Sequence, residues 1–306
     1  MKNITTDNVS EPPSRETVVL LLLDGWGIAP AGEANIISSS RTPNFNRLIK
    51  DYPVALLRVR KKSLNARYLS LGAGQHLIDE NTQITTGLSK VVSESGLKQL
   101  KITESNRLAA LTYFFNGGRE EKLNGEEWQI ISAQPADKFD PGRIIRKICR
   151  ELDKALASGE FNFITVAIPS LDLIAQDGQP EDIQKAIEII DKNLGRIVET
   201  VLNNAAKLIV SAACGNAEHV KNMATELDDK EMTDNPVPLI IVGDSLTGKT
   251  FGLKEPVNGD LSLLAPIGGL DDLAPTILEI MDLKIPAMMT GKSLIDKKLN
   301  WGELEK

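Results

Sequence analysis

A three-layer α/β domain with a mainly parallel central sheet is the fold class this chain predicts, on three observations. Short runs rich in Val, Ile and Leu alternate with segments of helical period along most of the 306 residues, and alternating strands and helices wind into a parallel sheet covered on both faces. Most of those runs are continuously apolar, as strands buried on both sides require. The hydrophobic fraction, 42%, is ample for a sizeable core, in one large α/β domain or two small ones at this length.

The strands read in order as residues 17–23, 55–59, 128–132, 163–168, 207–211 and 237–242. The helices read as residues 43–50, 141–157, 180–203 and 271–281. Pro43, Pro141 and Pro180 stand at helix starts, where a missing N–H costs nothing. In the second helix Ile144, Ile145, Ile148, Leu152 and Leu156 form one apolar stripe, and Cys149 beside it reads as packing. Residues 87–100 read as a short polar connector without a strong element of its own. There is no internal repeat, coiled coil or low-complexity tract.

Charge and composition exclude several classes. A net charge of −7 and a pI near 5.1 give no footprint for nucleic acid or an anionic membrane. Two cysteines, Cys149 and Cys214, fall short of a disulfide framework and fit a reducing cytoplasm. The apolar stretch from Val18 to Leu23 closes at Asp24, too soon to span a bilayer. Residues 1–16 are polar, contain Pro12-Pro13, lack the pattern of a signal peptide and read as a disordered tail; residues 296–306 read as a C-terminal tail. The two histidines, His76 and His219, are too few for a two-metal hydrolase of the Asp/His type.

Two stretches carry the pattern of a site. Leu208 to Glu218 reads as a buried strand running into a Gly-Asn loop, where an α/β enzyme usually presents its chemistry. Gly243-Asp244-Ser245-Leu246-Thr247-Gly248-Lys249-Thr250 has P-loop spacing after a strand, which makes a nucleotide binder one alternative. A P-loop needs a helix beginning at its Lys-Thr, yet Gly252, Pro256 and Gly259 follow closely, so the other reading is a plain turn.

Taken together the motifs resemble the cofactor-independent phosphoglycerate mutases of the alkaline phosphatase superfamily. Leu21-Leu22-Leu23-Asp24-Gly25-Trp26-Gly27 is similar to that family's first strand and metal-ligand loop. Thr42-Pro43-Asn44-Phe45, Tyr113-Phe114-Phe115-Asn116-Gly117-Gly118-Arg119-Glu120, Gly215-Asn216-Ala217-Glu218 and Asn235-Pro236-Val237-Pro238 follow in family order. Asp272-Leu273-Ala274-Pro275-Thr276-Ile277-Leu278 and Met289-Thr290-Gly291-Lys292-Ser293-Leu294 complete the series. The resemblance runs from about Thr17 to Ile295 and implies an alkaline-phosphatase-like domain over residues 17–295.

The departures carry the functional reading. The family's nucleophilic Ser belongs to an Asn-Ser-Glu-Val-Gly-His segment before a Gly-Ala-Gly turn. Here Gly72-Ala73-Gly74 is preceded by Ser63-Leu64-Asn65-Ala66-Arg67-Tyr68, so the resemblance puts Leu64 at the nucleophile position, with Ser63 beside it. Arg107 stands at a Lys that assists the nucleophile. Of the metal ligands only Asp24 and Asp172 persist, while Gln176, Ala213, Cys214 and Met232 occupy lost ligand positions. A substrate-clamping domain, inserted in the family after Gly-Ala-Gly, is replaced by a short connector near 87–97. Two isolated carboxylates cannot hold Mn or Zn, and without metal nothing balances the charge on a transferring phosphoryl group.

The expected protein is therefore a catalytically degenerate relative without a cofactor, retained for binding or assembly in the cytoplasm. The alternative is an active Mn- or Zn-dependent phosphoglycerate mutase or phosphohydrolase with a rearranged site. Asp24 and Asp172 are open to two roles, a vestigial metal or acid–base pair and acceptors at strand ends. His219 with Cys214 and Asp24 is a weaker candidate ligand group. Arg58 to Lys62, with Arg67 and Arg107, is where a phosphate ligand would persist. Ile84, Leu88, Val91, Val92, Leu97 and Leu100 are many apolar residues for a connector, which points to self-association or a protein partner through residues 84–100.

Overall fold

Six consecutive apolar residues, Val18–Leu23, form strand β1 at the middle of the sheet, buried along its whole length. Its neighbours are β5 (Phe163–Ile168) and β6 (Lys207–Ser211), each parallel to it. The computed structural model describes residues 16–60, 62–76, 79–133, 140–221, 225, 227, 229–251 and 256–295, with the backbone of 302–303. All but Glu16 of the tail expected at 1–16 lies outside the described residues. So do most of residues 296–306, though Gly302–Glu303 (β10) pairs with Lys249–Thr250 (β8) in a small second sheet.

The other strands are β2 (Val54–Arg58), β3 (Gln99–Glu104), β4 (Glu126–Ile131), β7 (Val237–Val242) and β9 (Gly268–Gly269). The main sheet has the order β4-β3-β5-β1-β6-β7-β2-β9. Only β7 runs against the rest, pairing antiparallel with β6 and β2. The carboxyl ends of β3, β5, β1 and β6 therefore lie side by side on one edge, with that of β2 on the same edge.

The helices are α1 (Ile36–Ser39), α2 (Pro43–Asp51), α3 (Leu64–Ala73), α4 (Leu88–Glu94), α5 (Pro141–Ser158), α6 (Ser170–Asp177), α7 (Pro180–Asn203) and α8 (Leu273–Ile280). The first, second, fifth, sixth and seventh pack together on one side of the sheet. The third, fourth and eighth pack on the other, with a π-helical turn at Ala109–Phe114. This is the expected α/β architecture of three layers. In α5 the Asp140 side chain caps the first turn, Pro141 opens it and Gly159, at φ 65°, ends it. Its predicted stripe is buried with Cys149, whose thiol burial pushes up to about 11. Among the described residues no helix is long and apolar enough to cross a membrane.

The structure corrects the reading of residues 84–100. The connector holds a helix, α4, and a full strand, β3. Ile84, Leu88, Val91, Val92 and Leu100 are buried against their own domain, and Leu97 is partly so. The exposed apolar surface on which a partner contact was expected there is absent. The strand escaped notice because Gln99, Lys101, Thr103 and Glu104 are polar, yet all four are buried. The helices α3 and α6 also lack a clear apolar period. The first is set by its ends: Ser63 accepts from the Ala66 N–H, and Gly74, at φ 62°, stops it.

Candidate functional site

Four neighbouring strands deliver the side chains of interest to one edge of the sheet, the usual location of sites in such folds. Asp24 follows β1, and Asp172 lies in the first turn of α6, after β5. Arg107 ends a short 3-10 turn after β3, and Ala213 and Cys214 follow β6. Backbone hydrogen bonds tie these loops together. Gly25 N–H donates to the Cys214 carbonyl at 2.9 Å, and Asp172 N–H to the Asp24 carbonyl at 3.0 Å. Gly25 has no substitute in this knot: its φ is 95°, and a Cβ would lie 2.5 Å from the Asp172 nitrogen.

At the centre a guanidinium bridges the two carboxylates. Arg107 Nε lies 3.0 Å from Asp24 Oδ2, and Arg107 Nη2 donates to Asp172 Oδ2 at 2.6 Å. The remaining acceptor sites are filled by further donors. Tyr68 Oη donates to Asp24 Oδ2 at 2.8 Å, and the Ala213 N–H to Oδ1 at 3.1 Å. Asn216 Nδ2 and Gln176 Nε2 donate to Asp172 at 3.1 and 3.2 Å. Glu218, itself buried, accepts from the N–H groups of Gly27 and Asn216 and from Asn235 and Thr233, fixing the loop that carries Asn216.

Burial sets the electrostatics. It raises the Asp24 carboxyl above its ordinary value, against the pull of Arg107. It opposes the charge on Arg107 too, but Asp24, Tyr68 and Asp172 win and hold the guanidinium above its usual range. Burial, followed by the two aspartates, pushes the Cys214 thiol well up. A fully buried thiol in that state is a poor nucleophile.

The Mn or Zn that the resemblance implies does not fit these residues. Among the described residues no three His, Cys, Asp or Glu side chains group so as to hold a metal ion. The place between the two surviving carboxylates is taken by a cation that the chain supplies.

The other candidates fall around this centre. Leu64 is the first residue of α3, partly buried against the core. Ser63 caps that helix and donates to the Glu80 carboxylate. Met232 is half-buried and precedes Thr233, which bridges to Gly215. His219 Nε2 lies 3.6 Å from an Asp229 oxygen and forms no ligand group with Cys214 and Asp24. The segment with P-loop spacing forms a 3-10 turn at Asp244–Leu246, then strand β8. No helix begins at Lys249-Thr250, so the phosphate cradle is not formed. Tyr68 and Asn216 were missed as members of the cluster. Tyr68 could have been found, since it stands at the His of the Asn-Ser-Glu-Val-Gly-His segment.

Residues 16–285 match the model of the Metalloenzyme superfamily. The 2,3-bisphosphoglycerate-independent phosphoglycerate mutase of Photobacterium profundum is 35% identical over 213 residues, covering 69% of this chain and 39% of that protein. The enzyme of the same name from Synechocystis sp. is 32% identical over 214 residues, with the same coverage. The chain thus spans about two fifths of the length of the curated relatives it matches. Among solved structures, Leishmania mexicana phosphoglycerate mutase at low cobalt concentration superposes with a TM-score of 0.76 at 11% identity, over 93% of this chain and 98% of that one. Alkaline phosphatase from the Antarctic bacterium TAB5 gives 0.58 at 13% identity, over 89% and 99%. At such identities these two show the shared fold.

Proposed function

The chain belongs to the Metalloenzyme superfamily, as a relative of the 2,3-bisphosphoglycerate-independent phosphoglycerate mutases, and we propose that it is a member without phosphoryl-transfer activity, retained for binding. The observation that carries this reading is the Arg107 bridge between Asp24 and Asp172. Phosphoryl transfer asks a protein mainly to position reactants and to offset charge on the transferring group. Here the offsetting charge is spent internally. Arg107 neutralises the protein's own carboxylates, in a cluster closed to solvent.

Two further features support the reading. Leu64, at the nucleophile position implied by the resemblance, has no nucleophilic atom, and the Ser63 hydroxyl is engaged as a helix cap. Among the described residues between α3 and β3 the chain forms only α4, and so short a stretch leaves no place for a clamping domain.

Interconversion of 2- and 3-phosphoglycerate, and hydrolysis of a phosphate monoester, are expected to stay at background with Mn or Zn added. A coupled assay on the purified chain checks this. Saturable turnover that disappears in Ser63→Ala would overturn the reading, because it would restore a nucleophile to the site.

A further inference from the structure

Away from the carboxylate cluster, α2 and α7 pack side by side. The contact is pinned at the start of α2. There Asp191 of α7, itself buried, accepts from the Asn44 and Phe45 N–H groups at 3.1 and 2.7 Å and from Asn44 Nδ2 at 2.9 Å. Gly195, one turn further along α7, lets the helices approach, since a Cβ there would lie 2.4 Å from Asn44 Oδ1. Alongside this contact the two helices leave an open groove of about 340 Å³, a size that small-molecule sites share. None of the residues lining it belongs to the cluster around Arg107.

The groove joins an apolar floor to a basic rim. Leu48 and Tyr52, 3% and 9% exposed, line it from the end of α2, and the partly buried Val198 and Leu202 line it from α7. The Tyr52 hydroxyl makes no hydrogen bond among the described residues, so a nearly buried ring brings an unused polar group to the groove. On the rim, Lys192 and Arg196 are exposed and lie four residues apart on α7. Neither has a hydrogen-bond or ion-pair partner among the described residues. Like charges at this spacing repel, and an anion between them would relieve the repulsion. Arg47 adds a third cation, with its guanidinium 3.2 Å from Asp51, and Glu199 is the single acid among the described residues that line the groove. This concentration of positive charge stands out on a chain of net charge −7.

We propose that this groove binds a small organic anion with an apolar body, of the aromatic carboxylate class, its ring on Leu48, Tyr52, Val198 and Leu202 and its carboxylate at Lys192 and Arg196. Burial of the ring against the floor supplies affinity. The rim selects for charge, because the planar fork of Arg196 matches a carboxylate in two parallel hydrogen bonds and Lys192 adds a point charge. The Tyr52 hydroxyl is placed to meet a polar substituent on the ring. Binding here is independent of whether the Arg107 cluster holds metal or turns over substrate, since the two sites share no residue.

The test is calorimetric titration of the full chain with naphthoate, and separately with the neutral naphthylmethanol, at constant ionic strength. Lys192→Gln/Arg196→Gln removes the rim charge from two exposed side chains and leaves the core intact, and Val198→Trp fills the groove. The expected result is saturable binding of naphthoate, about tenfold or more tighter than the alcohol. That preference should vanish in the double variant at an unchanged Tm, and Val198→Trp should bind neither probe. Absence of saturation, equal affinity for the two probes, or undiminished naphthoate binding in the double variant would overturn the proposal. Light scattering on the same samples tests the other occupant, a second copy of the chain: a dimer that dissociates in Val198→Trp would also overturn it.

Discussion

Replacing Arg107 with Met is expected to destabilise the fold by about 3–5 kcal/mol, the cost of leaving buried charge without its partner. The guanidinium contacts both Asp24 and Asp172, and all three side chains are buried. Burial already raises the Asp24 carboxyl, and Arg107 is the main force opposing it. In the variant the Asp24 carboxyl would be pushed further up, by burial and by the Asp172 charge beside it. A carboxyl raised in the folded state binds more protons there than in the unfolded chain, so its contribution is full below the unfolded value and falls as pH rises. Arg107→Met should therefore be relatively more stable at pH 5 than at pH 7, compared with the parent. Arg107→Lys should recover only part of the loss, since one ammonium cannot fork between two carboxylates. Urea denaturation at both pH values measures all three. A loss below about 1 kcal/mol would mean that the bridge is not a stabilising partner for the pair.

Lys101 is the second residue whose loss should be felt strongly. It is fully buried in β3 and contacts Ser89, the Leu111 carbonyl, Asn116 at 2.5 Å and Glu126 at 3.4 Å, with the Phe115 ring 4.2 Å away. Lys101→Met should cost about 3–5 kcal/mol by stranding Glu126, and Lys101→Met/Glu126→Leu should recover much of that. Burial holds Lys101 down to about 8, against the pull of Glu126. Its folded value lies below the unfolded 10.5, so the unfolded chain binds more protons between them. The parent should accordingly gain stability relative to Lys101→Met as pH rises from 8 toward 10.5, by up to about 3 kcal/mol. A difference that stays flat over that range would show that burial does not hold the Lys101 ammonium below its unfolded value.

These two residues also mark where sequence reading stopped. Strands such as Val18–Leu23 and Phe163–Ile168 were legible because an uninterrupted apolar run has few other homes. The convergence of Asp24, Asp172 and Ala213 was legible too, once the strands were taken as parallel. Strand β3 was not. Its lysine and glutamate look like solvent-facing residues until Glu126 and Asn116, from farther along the chain, are seen to satisfy Lys101. Arg107 was noticed as a positive charge retained at a lysine position and set among candidate phosphate ligands. Its actual partners lie 83 and 65 residues away, and only the β3-β5-β1 adjacency brings them together. The apolar residues of 84–100 misled in the opposite sense. Without α4 they looked like surplus hydrophobicity, and with it they are core.

The metal content of the chain, purified with Mn and Zn present, is the most direct measurement of whether Arg107 has taken the cation's place. The predicted result is well under one equivalent of either metal, with no rise in Tm on adding more, since a ligand that does not bind the folded state cannot stabilise it. Stoichiometric, tightly held metal that is lost in Asp24→Ala would contradict the account.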